Sequence, residues 1–186
     1  MIDMKRIMIL MLCLVALTTG AQSVFAQKVN VETDKFTKER IIETSFEKIA
    51  KDGTFDSRFV NYMKNVWVAF RKVGDTEYLR IKWCSKDVVA IDKDAEIILL
   101  DKNGNAYTFK NTEYIISGKG EGTVGSWGSA LLGVDIYATG NCAELADKEF
   151  TDLRITTTNG YFDFEIMKKA AKTISELYNL VVKAQE

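Results

Sequence analysis

The sequence predicts an α+β protein: an antiparallel β-meander, rolled as a curved sheet or a barrel, with an N-terminal helix and a packed C-terminal amphipathic helix. Three observations carry this. NVWVAFRKV (65–73) and EYLRIKWCS (77–85) alternate apolar and polar residues, the period-two mark of strands with one buried face. Asn103-Gly104 and Asn159-Gly160 each interrupt such runs with a dipeptide that tolerates the positive φ of a hairpin turn. The closing stretch MKKAAKTISELYNLVVKAQE places Met167, Ala170, Ala171, Ile174, Leu177, Tyr178 and Val181 on one helical stripe.

Taken in order, residues 1–26 read as an export signal. Lys5 and Arg6 precede the apolar run Ile7–Leu17, and Val24-Phe25-Ala26 offers a small-x-small cleavage site before Gln27. The run is shorter than the roughly 20 residues of a membrane-crossing helix, so no span is expected after its removal. Residues 27–186 then form one domain, periplasmic or secreted. Cleavage takes away two bases and one acid and leaves a formal charge of −2. Without a basic excess, nucleic acid is not an expected partner.

DKFTKERIIETSFEKIAKDG predicts the first helix, over about 37–52, with Ile42, Phe46 and Ile49 on one face and Gly53 as its stop. Strands follow over about 57–166, with a turn at Gly74-Asp75. Around Asn103-Gly104, a two-residue turn pairs Leu100 with Tyr107, whereas a type I turn on Asp101 with a bulge at Gly104 shifts the pairing by one. Around Asn159-Gly160, a two-residue turn sets Leu153 against Ile166, Ile155 against Phe164 and Arg154 against Glu165. The final helix covers about 168–184. This order of strands and closing helix, over roughly Phe59 to Ala184, resembles the pleckstrin-homology-like barrel. The resemblance rests on element order and implies a seven-strand meander closed by the helix. It brings no phospholipid site, because the basic first-hairpin cluster is missing. The whole chain is also similar to small exported bacterial proteins of unknown role.

The chain has no histidine. Ser-His-Asp and Cys-His catalysis and imidazole metal ligation are thereby excluded, and no cofactor or metal is expected. Ser45 and Lys48 match S-x-x-K, but the companion motifs of the penicillin-recognising enzymes are absent. Asp101-Lys102-Asn103-Gly104-Asn105 puts its glycine too early for a calcium loop. Asp135, Glu144, Asp147 and Glu149 could supply paired carboxylates, though nothing in their spacing fixes a catalytic separation. Two cysteines lie beyond the signal, Cys84 and Cys142. They form either a disulfide, expected in an oxidising compartment, or two buried thiols.

The run ISGKGEGTVGSWGSALLG (116–133) holds six of the twelve glycines. It lacks the Gly-Lys-Ser/Thr of a phosphate loop and leads into a strand, so no nucleotide site is expected. Its centre, Gly125-Ser126-Trp127-Gly128, sets a tryptophan on a glycine-rich support. That ring either tucks into the core or offers a contact surface to a protein or glycan partner. The function expected is therefore an exported, non-enzymatic binding module. The alternative is a carboxylate-based hydrolase or a small-ligand carrier with a pocket at a barrel mouth.

Overall fold

The computed structural model describes residues 28–51, 65–85, 87–125 and 131–186. The expected signal, the start of the strand block at about 57, and Ser126, Trp127 and Gly128 lie outside the described residues.

Strands occupy the place expected for the first helix. β1 (Val29–Thr33) and β2 (Arg40–Thr44) form a hairpin, and β3 (Glu47–Lys51) follows. Asp34 Oδ1 builds the turn by accepting the N–H groups of Phe36 and Thr37 at 2.7 and 2.8 Å, and Lys38 takes a φ of 64°. β2 and β3 both pair with β4 (Asn65–Val73). Glu43 faces Arg71 and Glu47 faces Val68, so one extra residue sits on the β2–β3 side. A second falls between Lys48 and Ala50, opposite Trp67 and Val66. β2 and β3 thus act as one long strand with two bulges, which bend and twist it. The bulges explain the helical look of the sequence. Ile42 and Ile49 are both buried although they differ in parity, and seven residues is also two helical turns.

β4 turns through Gly74-Asp75 into β5 (Thr76–Cys84), with Val73 opposite Thr76. Leu79, Ile81 and Trp83 point inward, and Tyr78, Arg80 and Lys82 lie on the other face, as the alternation predicts. Beyond it come β6 (Ala90–Ile91), β7 (Glu96–Asp101), β8 (Ala106–Asn111), β9 (Ile115–Ile116), β10 (Gly118–Lys119), β11 (Leu132–Thr139), β12 (Phe150–Thr157) and β13 (Gly160–Glu165). Every pairing is antiparallel, and β6 and β9 make a separate two-stranded ladder. The main sheet runs β1-β2-β4-β5-β11-β8-β7-β12-β13, with β3 also on β4 and β10 also on β11.

The order is not the simple meander expected. β11 returns to lie between β5 and β8, so the β7–β8 hairpin is inverted in the sheet. Two glycines permit the return. Gly122 and Gly133 meet backbone to backbone over the Trp83 carbonyl, an approach closed to any residue with a Cβ. The hydrogen-bonded path is open, but its curvature brings β3 round to β13. There an isolated bridge joins Ala50 to Ile166, and the Met167 N–H donates to the Ile49 carbonyl at 2.9 Å.

Both later hairpins depart from a two-residue turn centred on Asn-Gly. Leu100 faces Ala106 and Leu99 faces Tyr107, which is the shifted register. Asp101 sets it. Its Oδ1 accepts the N–H groups of Asn103 and Asn105, and its Oδ2 accepts from the Asn105 amide and the Tyr107 hydroxyl. Gly104 takes a φ of 83°. In the last hairpin the turn is Thr158-Asn159, not Asn159-Gly160. Leu153 faces Phe164, Ile155 faces Phe162 and Arg154 faces Asp163, two residues from the expected register. A shift of two leaves each side chain on its own face, so the apolar pattern cannot distinguish the two pairings.

The concave side holds one continuous core. Phe70, Phe109, Phe150, Ile97, Ile136 and Leu145 are among its fully buried members, and each such side chain contributes about 1.5–3 kcal/mol of transfer free energy. The closing helix appears as a 3₁₀ turn (Lys168–Ala170) and then α1 (Thr173–Lys183). α1 buries Ile174, Leu177, Tyr178 and Val181 against β2, β4 and the 3₁₀ turn Cys142–Leu145. Tyr178 meets Phe70 edge to face at 5.5 Å. Among the described residues no helix is long and apolar enough to cross a membrane.

Candidate functional site

Of the four residues singled out around the glycine-rich run, only Gly125 is described. It takes a φ of 83°, and among the described residues nothing lies within 4 Å of where a Cβ would stand. Ser126, Trp127 and Gly128 lie outside the described residues. Gly122 and Gly133 of the same run serve the β11 crossing instead. Lys82 Nζ donates to the Glu121 carbonyl at 3.0 Å, and the Cys84 thiol donates to the Gly122 carbonyl at 3.0 Å.

Cys84 and Cys142 are both free and buried, so of the two readings the structure has the thiols and not the bridge. Cys84 ends β5 opposite Gly133, whereas Cys142 follows the far end of β11. An eight-residue strand spans roughly 25 Å, and a disulfide needs Cα atoms within about 7 Å. Burial pushes the thiols up to about 11 at Cys84 and about 12 at Cys142.

The carboxylates are dispersed. Asp135 pairs with Arg80 and Lys82, and Glu149 with Lys102 and Lys172. Glu144 accepts from Asn141, and Asp147 from Asn179. Ser45 sits between two strands and donates to Glu47 Oε1 at 3.0 Å, so the helical geometry of an S-x-x-K pair is absent. Among the described residues no group of acids and cysteines is placed to hold a metal ion.

Two features mark the convex face. The first is a closed polar cluster. Arg80 makes a two-pronged contact with Asp135, at 2.9 and 2.6 Å, and a further ion pair with Glu43. Its guanidinium lies 4.7 Å from the centre of the Tyr137 ring and 4.9 Å from that of Phe46. Burial alone would lower its pKa; the hydrogen bonds and charge of Asp135 overcome that and raise it. With carboxylates and rings on several sides, Arg80 clamps the bulged strand to β11 and has little left for a ligand.

The second feature is a groove of about 350 Å³ across β7, β8, β12 and β13. Ile98, Leu100 and Ala106 line its apolar part, and Asp152, Arg154 and Asp163 its polar part. Strand register places them. Arg154 lies between Ile98 and Asp163, and Asp152 lies between Leu100 and Glu165. Arg154 and Asp163 form a bidentate pair with both contacts at 2.7 Å. The Asp163 carboxyl is lowered by that hydrogen bond, and the Arg154 guanidinium is raised by it. Arg154 also stacks 3.9 Å from the centre of the exposed Tyr161 ring. Asp152 faces Glu165 directly, like charge against like, and neither has an ion-pair or hydrogen-bond partner among the described residues.

Sequence reasoning missed this groove, although a signal was present. Ile97-Ile98-Leu99-Leu100 is four apolar residues in a row on a strand, so two of them must face outward. Their neighbours on the convex face could be named only once β7 was known to pair with both β8 and β12. These features define an α+β protein with a filled core and a grooved outer sheet face. Comparison with known proteins finds no match among family models, curated proteins or solved structures.

Proposed function

We propose that this is an exported, non-enzymatic binding module whose convex groove takes a segment of a partner protein, an apolar side chain lying beside a basic one. The observation that carries the reading is the pairing of Ile98 and Leu100 with the opposed, unpartnered carboxylates of Asp152 and Glu165. The apolar floor gains from covering, and the two acids gain from a cation. Arg154 is already neutralised by Asp163, which leaves the groove's uncompensated charge negative.

The filled interior weighs against a carrier with a barrel-mouth pocket, because Phe70, Phe109 and Phe150 occupy the space a ligand would need. The four acids that the sequence offered, Asp135, Glu144, Asp147 and Glu149, are dispersed and each has a local partner, which weighs against the hydrolase. Export belongs to the same proposal and rests on the signal-like leader; N-terminal sequencing of the protein from fractionated cells tests it, with Gln27 as the expected first residue.

The binding test is capture from envelope extract by wild type and by Leu100→Glu, alongside a glycan array. A protein retained by wild type, lost with Leu100→Glu and displaced by salt supports the reading. Retention unchanged by Leu100→Glu, or binding of glycans alone, removes it.

A further inference from the structure

We infer that the free edge of β1 is a self-association surface, on which a second copy of this chain adds its own β1 in antiparallel register about Val31. The backbone geometry comes first. The Ser45 N–H donates to the Lys28 carbonyl at 2.7 Å, and the Asp34 N–H donates to the Glu39 carbonyl at 2.9 Å. The β1–β2 register between these points is unbroken. Backbone groups alternate along an antiparallel strand, so Lys28, Asn30, Glu32 and Asp34 aim theirs at β2. Val29, Val31 and Thr33 aim theirs outward, and among the described residues no strand takes them. Every residue of β1 is exposed, Val29 to 37% and Val31 to 44%.

Natural edges are guarded by proline, bulges, short length or charged side chains, lysine above all. Within Val29–Thr33 β1 has no proline, bulge or lysine, and Glu32 is its one charged residue.

The occupant follows from self-complementarity. A two-fold axis at Val31 sets Val31 against its own copy and Val29 against Thr33. All the outward donors and acceptors of the three residues are then paired. On the other face Asn30 meets Glu32, an amide donor against a carboxylate, and Lys28 meets Asp34. Asp34 is engaged by its own turn through Oδ1, and its carboxylate supplies the charge opposite the lysine. Moving the axis to Glu32 would set glutamate against glutamate. Moving it to Asn30 would set Thr33 against Gln27, outside the described residues. The register at Val31 uses every outward group of Val29–Thr33 with no like charges opposed.

The test is sedimentation equilibrium of the purified full chain from micromolar to millimolar concentration, with amide hydrogen exchange at both ends of that range. A reversible dimer is expected. Val29, Val31 and Thr33 amides gain protection as concentration rises, whereas Asn30 and Glu32 are protected throughout. Val31→Pro removes an outward donor and spares the β2 ladder, so it weakens association by roughly tenfold or more at an unchanged melting temperature. Lys28→Glu weakens it too, and added salt narrows that difference. A monomer at millimolar concentration overturns the inference. So does a dimer indifferent to both substitutions, or one whose Val31 amide exchanges equally at both concentrations.

Discussion

Gly122 and Gly133 lie backbone against backbone: a Cβ on Gly122 would stand 2.7 Å from the Gly133 Cα, and one on Gly133 would stand 2.6 Å from the Trp83 carbonyl oxygen. Neither neighbour is a flexible side chain, so the sheet itself must shift to admit a methyl group. Gly122→Ala and Gly133→Ala should each cost about 1–3 kcal/mol, read as a lower urea midpoint at unchanged slope. Gly118 is a useful contrast, since the atoms nearest its Cβ position belong to the movable Glu121 side chain. An equal loss at all three positions would contradict the packing described.

Asp101 gives the fold a defined acid response. Its carboxyl is held down to about 2, chiefly by the Asn105 side-chain amide, with burial opposing, and further by the Asn105 and Asn103 N–H groups and the Tyr107 hydroxyl. The folded value lies below the unfolded value of about 3.9. The stabilisation is therefore complete above pH 4 and is lost as pH falls from about 4 through about 2. Thermal melts across that window should show a loss of stability that Asp101→Asn lacks. Near pH 6 the variant should melt below wild type, because an amide cannot accept all four hydrogen bonds.

Both thiols should resist modification in the folded protein. Burial raises Cys84 to about 11 and Cys142 to about 12, so little thiolate exists at neutral pH. A thiol-specific reagent at pH 7.5 should label neither until denaturant is added, and then both. Fast labelling of native protein, or a mass two hydrogens low, would be incompatible with two buried free thiols.

Arg80 should tolerate lysine poorly. Lysine offers a point charge where Asp135 and Glu43 are held by a planar fork between Tyr137 and Phe46. Arg80→Lys should cost roughly 1–3 kcal/mol in chemical denaturation. Lys82 shares Asp135 and should couple to it in a double-mutant cycle.

Asp152 and Glu165 oppose each other on the face assigned to partner binding. Glu165→Lys should stabilise the fold by a few tenths of a kcal/mol to about 1 kcal/mol while weakening capture of a basic partner. A melting temperature that rises together with retained capture would show that the acids do not serve recognition.

The strand block, the closing helix and the inward row of β5 were legible because each depends on one run of residues. Four things were not. The β2–β3 bulges imitate helical spacing between Ile42 and Ile49, and only the register against Arg71 and Val68 exposes them. The return of β11 beside β5 depends on Gly122 meeting Gly133, a contact between positions whose sequence pattern reads merely as flexible. The 158–159 turn preserves every face of the expected hairpin, so apolar alternation is silent on it. The groove combines β7, β8, β12 and β13; the apolar run Ile97–Leu100 marks one wall, but its neighbours on the other strands follow only from the pairing. Trp127, the residue most conspicuous in the glycine-rich run, lies outside the described residues.

The junction of Ala50 with Ile166, and the seating of α1 on β2 and β4, have a temporal corollary. A chain emerging from the ribosome carries its early strands long before it carries their last partners. Until Ile166 and α1 are synthesised, β3 lacks its contact with the distal edge and β4 lacks its cover. Closing of the sheet must therefore await synthesis of Ile166 and α1, with a slow closing step set by the distance along the backbone between the segments that meet.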